Sequence, residues 1–245
     1  MNTKNTFSVN EYLYGFNPVF EAIRSGRRKF IRAFINQSLS DNKRIEKFVK
    51  LCRQNNIPVE SVDKGKLIQL CNSRDNQGVV LYCSHYPYIS FEKTLESNRL
   101  LLIDNVEDPH NVGAILRSAE IFGFKNVLLP RKGVPDVYPS VVKVSSGATE
   151  FMNITKEHFA NSYAKKAKED GYSIVVLDAK GDVEINDLPD SATKKMLLVI
   201  GGENKSVGQF IINMADYIVK INQLGKINSL NASVAAGVAM FALSK

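Results

Sequence analysis

The sequence predicts an α/β protein arranged in two blocks. Two observations carry this expectation. Short apolar runs alternate with amphipathic helical stretches along most of the chain, and one proline-containing polar stretch without period divides them. At 245 residues, one large domain or two small ones fit, and either can bury a core. Hydrophobic residues make up 44% and charged residues 23%, an ordinary globular composition.

In the first block FIRAFIN (30–36) reads as a strand. NKRIEKFVKLCRQN (42–55) reads as a helix with Ile45, Phe48, Val49 and Cys52 on one face. IPVESV is a strand, Lys64 to Cys71 a helix, and GVVLYCS (78–84) another strand. HYPYISFEKTLESN contains Pro87 and no clear period, so residues 85–98 are expected to be a linker between domains at 11–84 and 99–245. RLLLIDNV then opens the second block as a continuous apolar run suited to a buried parallel strand. A helix follows in HNVGAILRSAEIFG (110–123), with Gly123 as its stop. After the strand KNVLLP comes a looser stretch, YPSVVKVSSGATE. Lys156 to Asp170 reads as a charged helix, YSIVVLD and KKMLLVIGG as strands, and Ser206 to Met214 as a short helix. The strand DYIVKI precedes a last helix from about Ser229 to Leu243. This alternation argues a mainly parallel sheet with helices on both faces.

The formal net charge of +7 permits a polyanionic partner such as RNA, although solubility alone accounts for many basic proteins. Arg24, Arg27, Arg28, Lys29 and Arg32 form a dense basic run, read either as an RNA contact or as a solvated surface. Cys52, Cys71 and Cys83 stand far apart with too few histidines for a zinc site. They suggest buried thiols in a reducing compartment, and no metal is expected. No apolar run approaches a membrane span, and the start resembles no signal, so the cytoplasm is the expected compartment.

Three strand ends have unusual residues, and open α/β sheets bind ligands beyond such ends. They are NVEDPHNVG, GGENKSVG and NQLGKINSLN. GGENKSVG is neither a Walker A loop nor G-x-G-x-x-G, which leaves ATP and nicotinamide sites without support. Glu203 faces a substrate or caps the next helix. Ser229 is a natural N-cap, and the Asn231 amide can reach a neighbouring loop. Arg117 lies off the apolar stripe of Val112, Ile115, Leu116, Ala119 and Phe122. Taken alone, it reads first as a solvated partner of Glu120.

Together the three loops resemble the motifs of the SpoU/TrmH branch of the SPOUT RNA methyltransferases. NVEDPHNVGAILRSAEIFGF (105–124) looks like the first motif, LLVIGGENKSVG (197–208) the second, and INSLNASVAAGVAMF (227–241) the third. YGFNPVFEAIRSGRRKFIRAFIN and DNQGVV resemble the N-terminal substrate-binding domain of RlmB-type rRNA enzymes. The resemblance implies a SPOUT domain with a deep trefoil knot and a homodimer sharing its site. It implies S-adenosylmethionine as cofactor and 2′-O-methylation of a guanosine in large-subunit (23S) rRNA. Methylation of tRNA or of an rRNA adenosine remains open, as does a retired scaffold that serves RNA binding or ribosome assembly. By motif position the cofactor contacts are Gly201, Ile221 and Leu230. The catalytic group is Arg117 with Asn111, Glu203, Ser229 and Asn231 around it, and Arg24, Arg27, Arg28, Lys29 and Arg32 capture RNA. Two positions depart from the pattern. Ser206 replaces an expected glycine, so a left-handed backbone there would be strained, and Asn222 stands where proline is usual.

Overall fold

The computed structural model describes residues 10–40, 42–202, 205–226 and 229–244. They divide into two compact units: the chain up to Pro87 together with Ser146–Glu150, and Tyr88–Ser145 together with the chain from Phe151 onward.

The first unit runs β1 (Asn10–Tyr14), α1 (Phe16–Ser25), β2 (Phe30–Asn36), α2 (Lys43–Gln54), β3 (Val59–Val62), α3 (Lys64–Cys71) and β4 (Val79–Ser84). Its sheet has the order β1-β4-β2-β3. β2 and β3 pair in parallel, whereas β4 is antiparallel to both of its neighbours, so this sheet is mixed rather than mainly parallel. Period-two alternation sorts the side chains. Tyr12, Phe34, Val80 and Tyr82 pack with Leu67 of α3, while the alternate residues Leu13, Ala33, Ile35 and Leu81 point to the other face and are buried. The helix expected at 42–55 forms as α2, capped by the Asn42 side chain on the Arg44 N–H, with Ile45, Phe48 and Cys52 buried. Burial pushes the Cys52 and Cys83 thiols up to about 12, while Cys71 is half-buried.

The second unit continues with α4 (Phe91–Thr94), β5 (Arg99–Asp104), α5 (Pro109–Ile121), β6 (Asn126–Leu128), α6 (Pro139–Val144), β7 (Asn153–Thr155) and α7 (Ala160–Glu169). It ends with β8 (Ser173–Leu177), β9 (Val183–Glu184), α8 (Asp190–Thr193), β10 (Met196–Gly201), α9 (Gln209–Met214), β11 (Tyr217–Lys220) and α10 (Ala232–Ala242). The sheet order is β7-β6-β5-β10-β8-β11-β9, and every pairing is parallel. Leu100 and Leu102 of β5 and Leu197 and Val199 of β10 pack against Tyr163, Ala164 and Ala167 of α7 and Ile211 of α9. Their neighbours Leu101, Ile103, Leu198 and Ile200 are also buried, on the opposite face. A strand buried on both faces reads as a continuous apolar run, which is why RLLLID and MLLVI show no alternation.

Several boundaries differ from expectation. α7 starts at Ala160 rather than Lys156, α9 at Gln209 rather than Ser206, and α10 at Ala232 rather than Ser229. The looser stretch near residue 140 contains α6, which begins on Pro139 at a helix start, where its missing N–H costs nothing. No helix among the described residues is long and apolar enough to cross a membrane.

Candidate active site

β5 and β10 are neighbours, yet the chain leaves them in opposite directions across the sheet, β5 toward β6 and β10 toward β11. That reversal opens a crevice at their carboxyl ends. Asp104 and Gly201 are register partners there. Asp104 is buried, and its Oδ2 accepts the Gly208 N–H at 3.0 Å. Burial pushes its carboxyl above the usual range, partly offset by backbone hydrogen bonds from Gly208 and Asn105. Asn105 follows with φ 56°, and its Nδ2 donates to the Ser206 carbonyl at 3.2 Å. The first and second loops are thereby tied together.

This crossing explains the glycine pair. A Cβ on Gly202 would stand 2.1 Å from the Asn105 carbonyl oxygen, and one on Gly201 would stand 2.6 Å from the Val207 nitrogen. The glycines thus admit the chain's own backbone at close range. Ser206 does not have a positive φ, so the strain expected of a serine there is absent. Glu203 lies outside the described residues.

Two cavities meet at Gly202. One, of about 250 Å³, is walled by Leu177, Ile200, Gly201, Val207, Ile221 and Leu230, with Asp178, Lys180, Gln223 and Ser229 at its polar edge. Apolar walls with a few polar groups suit a nucleoside-like cofactor. All three expected cofactor contacts, Gly201, Ile221 and Leu230, line it. Asp178 and Lys180 were missed at the sequence level, although an acid closing the run YSIVVLD is a visible signal. The second cavity, of about 350 Å³, is lined by the 105–108 segment, Asn111, Gly202 and Lys205.

Asp108, not Asn111, caps α5: its side chain accepts the His110 N–H at 2.9 Å, and Pro109 occupies the first turn. Asn111 is thus released for another contact. Asn231 caps α10 in place of the expected Ser229, accepting the Ser233 N–H at 2.9 Å. The Asn231 Nδ2 donates to Asn111 Oδ1 at 3.1 Å, so the first and third loops are joined as expected of its amide. Gly113, by contrast, does not open space for a substrate. A Cβ there would meet Val144 Cβ at 2.6 Å, so Gly113 serves the packing of α6 on α5. α5 stops at Gly123, where the Phe124 N–H returns to the Ala119 carbonyl at 2.8 Å.

Arg117 is exposed and lines neither cavity. Six residues beyond Asn111, it points roughly 120° away around the helix axis. Its alternative role as a partner of Glu120 also fails: Glu120 pairs with Lys125 at 3.5 Å, and among the described residues Arg117 makes no ion pair.

The basic run is not one patch. Arg28 is buried, donating from Nε to Glu150 Oε2 at 2.9 Å and from Nη1 to Glu11 Oε1 at 2.5 Å. Burial would lower its basicity, but the Glu150 hydrogen bonds and charge overcome this and hold the guanidinium firmly protonated. Arg28 is therefore a structural ion pair and not an RNA contact, because its donors are spent inside the protein. Arg24 pairs with Glu21 at 2.8 Å and Arg32 with Glu60 at 2.7 Å, each on the surface. Arg27 lies over the Tyr86 ring, and Lys29 is exposed. Among the described residues, no group of three or more His, Cys, Asp or Glu side chains is placed to hold a metal.

Comparison with known proteins agrees with this geometry. Residues 98–241 match the SpoU rRNA methylase family, and residues 12–89 match the RNA 2′-O ribose methyltransferase substrate-binding family. A Bacillus subtilis protein named for the TrmH family of tRNA/rRNA methyltransferases is 28% identical over 239 residues, covering 95% of this chain and 94% of its own. A similarly named protein of Staphylococcus saprophyticus is 30% identical, covering 94% and 93%. The fold is similar to that of the SpoU methyltransferase AviRb from Streptomyces viridochromogenes, crystallised with AdoMet. The TM-score is 0.80 at 20% identity, over 100% of this chain and 92% of that one. With both its halves matched and its motif loops assembled at one crevice, the chain belongs to the SpoU rRNA methylase family.

Proposed function

We propose that this protein transfers a methyl group from S-adenosylmethionine to a ribose 2′-hydroxyl in RNA, with a guanosine of large-subunit (23S) rRNA as substrate. The carrying observation is the Asn231–Asn111 hydrogen bond, which ties the third motif, whose Ser229 and Leu230 line the first cavity, to Asn111 of the first motif in the wall of the second. Residues 99–245 form the catalytic domain, residues 11–84 receive the RNA, and the protein works in the cytoplasm. A tRNA substrate is the second reading, because the similar proteins are named for both RNAs.

Bound in the 250 Å³ cavity, S-adenosylmethionine supplies an electrophilic methyl carbon. Gly201, Ile221 and Leu230 hold it through backbone groups and apolar contact. The rest of the chemistry concerns the ribose. A neutral hydroxyl is a poor nucleophile and must give up its proton, to water, as its oxygen attacks. Arginine keeps its own proton in proteins, so Arg117 serves as an electrostatic group. Its guanidinium stabilises the developing negative oxygen and orients a phosphate. Asn111, Glu203, Ser229 and Asn231 supply the polar surroundings.

Because Arg117 faces away from its own cavities, it acts in a homodimer, on a ribose held at the partner's site. Ile121, one turn beyond Arg117, is 65% exposed. α10 packs on α5 and exposes Val234, Val238 and Phe241 on one stripe. An apolar surface of this kind marks an association face.

Arg117→Ala should lower kcat by about 10²–10³-fold while S-adenosylmethionine binding stays at the wild-type level. Arg117→Lys should recover only part of the rate, because lysine lacks the planar fork. Steady-state methylation assays with both variants check this, and near-wild-type turnover in both removes the arginine from the mechanism.

A further inference from the structure

The expected basic run is largely neutralised by neighbouring acids, yet α2 is not. It carries Lys43, Arg44, Lys47, Lys50 and Arg53 against the single acid Glu46. All five cations are exposed, and among the described residues none forms an ion pair. Lys43, Lys47 and Lys50 follow each other at i, i+4 and i+7, so they share one face, where like charges repel. Lys43 and Arg44 also sit in the first turn, where the helix dipole disfavours cations. Local stability does not explain this arrangement, and a bound polyanion would.

A second feature stands beside it. Phe16 and Phe20 of α1 are half-buried and stacked, with ring centroids 5.5 Å apart and planes at 18°. Arg44 lies over the Phe16 ring at 4.4 Å, and the Lys47 ammonium over the Phe20 ring at 5.2 Å. Rings and guanidinium planes are surfaces on which unpaired bases stack, while lysines meet phosphates.

We infer that α2 and the Phe16–Phe20 pair form the face on which the first unit takes looped, single-stranded RNA. This deepens the RNA methyltransferase reading and rests on it. Charge complementarity selects a polyanion, and the aromatic pair selects one with exposed bases over an acidic protein surface.

The test uses the full-length chain and two probes, an unmodified 23S rRNA transcript and poly(U), in filter binding across a salt series. The triple variant Lys43→Ala/Lys47→Ala/Lys50→Ala keeps good helix formers. It should bind both probes at least about tenfold more weakly, with a salt slope smaller by about 2, since each lost phosphate contact removes roughly 0.7. Phe20→Leu should weaken poly(U) binding about fivefold with the slope unchanged. Arg24→Ala/Arg32→Ala should change affinity less than about threefold, their charges being already paired. Circular dichroism and melting curves should match wild type in every variant, which separates lost docking from lost folding of the first unit. If the triple variant binds RNA with wild-type affinity and slope, the docking face is wrong while the methyltransferase reading stands. Competition by polyglutamate as effective as that by poly(U) also overturns it, in favour of an acidic protein partner. A wild-type chain that neither binds nor methylates either RNA overturns both.

Discussion

Asp104 ends the strand β5 as a buried carboxylate held by the Gly208 N–H, and this placement has a pH signature. Its folded pKa lies above the ordinary 3.8, because burial disfavours the charged form. The folded state therefore binds this proton more tightly than the unfolded chain does. Stability from this site is greatest at low pH and falls as pH rises from about 3.8 through the folded value, then stays level. Asp104→Asn removes that titration. Melting curves from pH 4 upward should show wild type losing ground relative to the variant and the gap holding constant at neutral pH. A gap independent of pH, or one of opposite sign, contradicts the assignment. The acid was visible in RLLLID as a polar residue closing an apolar run. Arg28 was not legible in the same way, because its partner Glu150 lies 122 residues along the chain. A basic residue among basic neighbours reads as surface until the acid that buries it is known.

At the scale of elements, the site is made by loops that cross one another. The strand ends and their three motifs were legible, since apolar runs stopping at Gly or Asn are distinctive. What the glycines accommodate was not, because it depends on which backbone passes over them. Gly202→Ala places a Cβ 2.1 Å from the Asn105 carbonyl oxygen, which a rigid backbone cannot relieve by side-chain rotation. Forcing the loops apart should cost about 1–3 kcal/mol of stability. Because both cavities share Gly202, it should also weaken S-adenosylmethionine binding by more than about tenfold (a 1.4 kcal/mol loss). Unfolding and calorimetry check the two effects, and wild-type values in both would show that the loops do not cross tightly. Helix caps followed the same pattern. Asn231 was expected to reach a neighbouring loop and does so, but it also caps α10 in place of Ser229, freeing that serine to line the cavity.

For the molecule as a whole, the long buried strands and amphipathic helices carried the fold class, because their periodicity reflects burial directly. β6 and β7, with three residues each, are too short to show a period. Ser146–Glu150 joins the first unit although the sequence places it deep in the second block. Short-range patterns do not report such a return. The same limit applies to Arg117. Its motif was recognisable, whereas its direction, away from its own cavities, follows only from the helix as folded. This separation is what motivates the proposal of a homodimer with a shared site.

The function proposed for this protein is methyl transfer to a ribose hydroxyl in RNA. The most direct measurement incubates the purified protein with methyl-labelled S-adenosylmethionine and unmodified 23S rRNA transcript, followed by nucleoside analysis and site mapping. Label is expected in one 2′-O-methylguanosine at a single position, resistant to alkaline cleavage on its 3′ side. Folded protein that binds S-adenosylmethionine yet labels no RNA, or labels a base instead of a ribose, would contradict it.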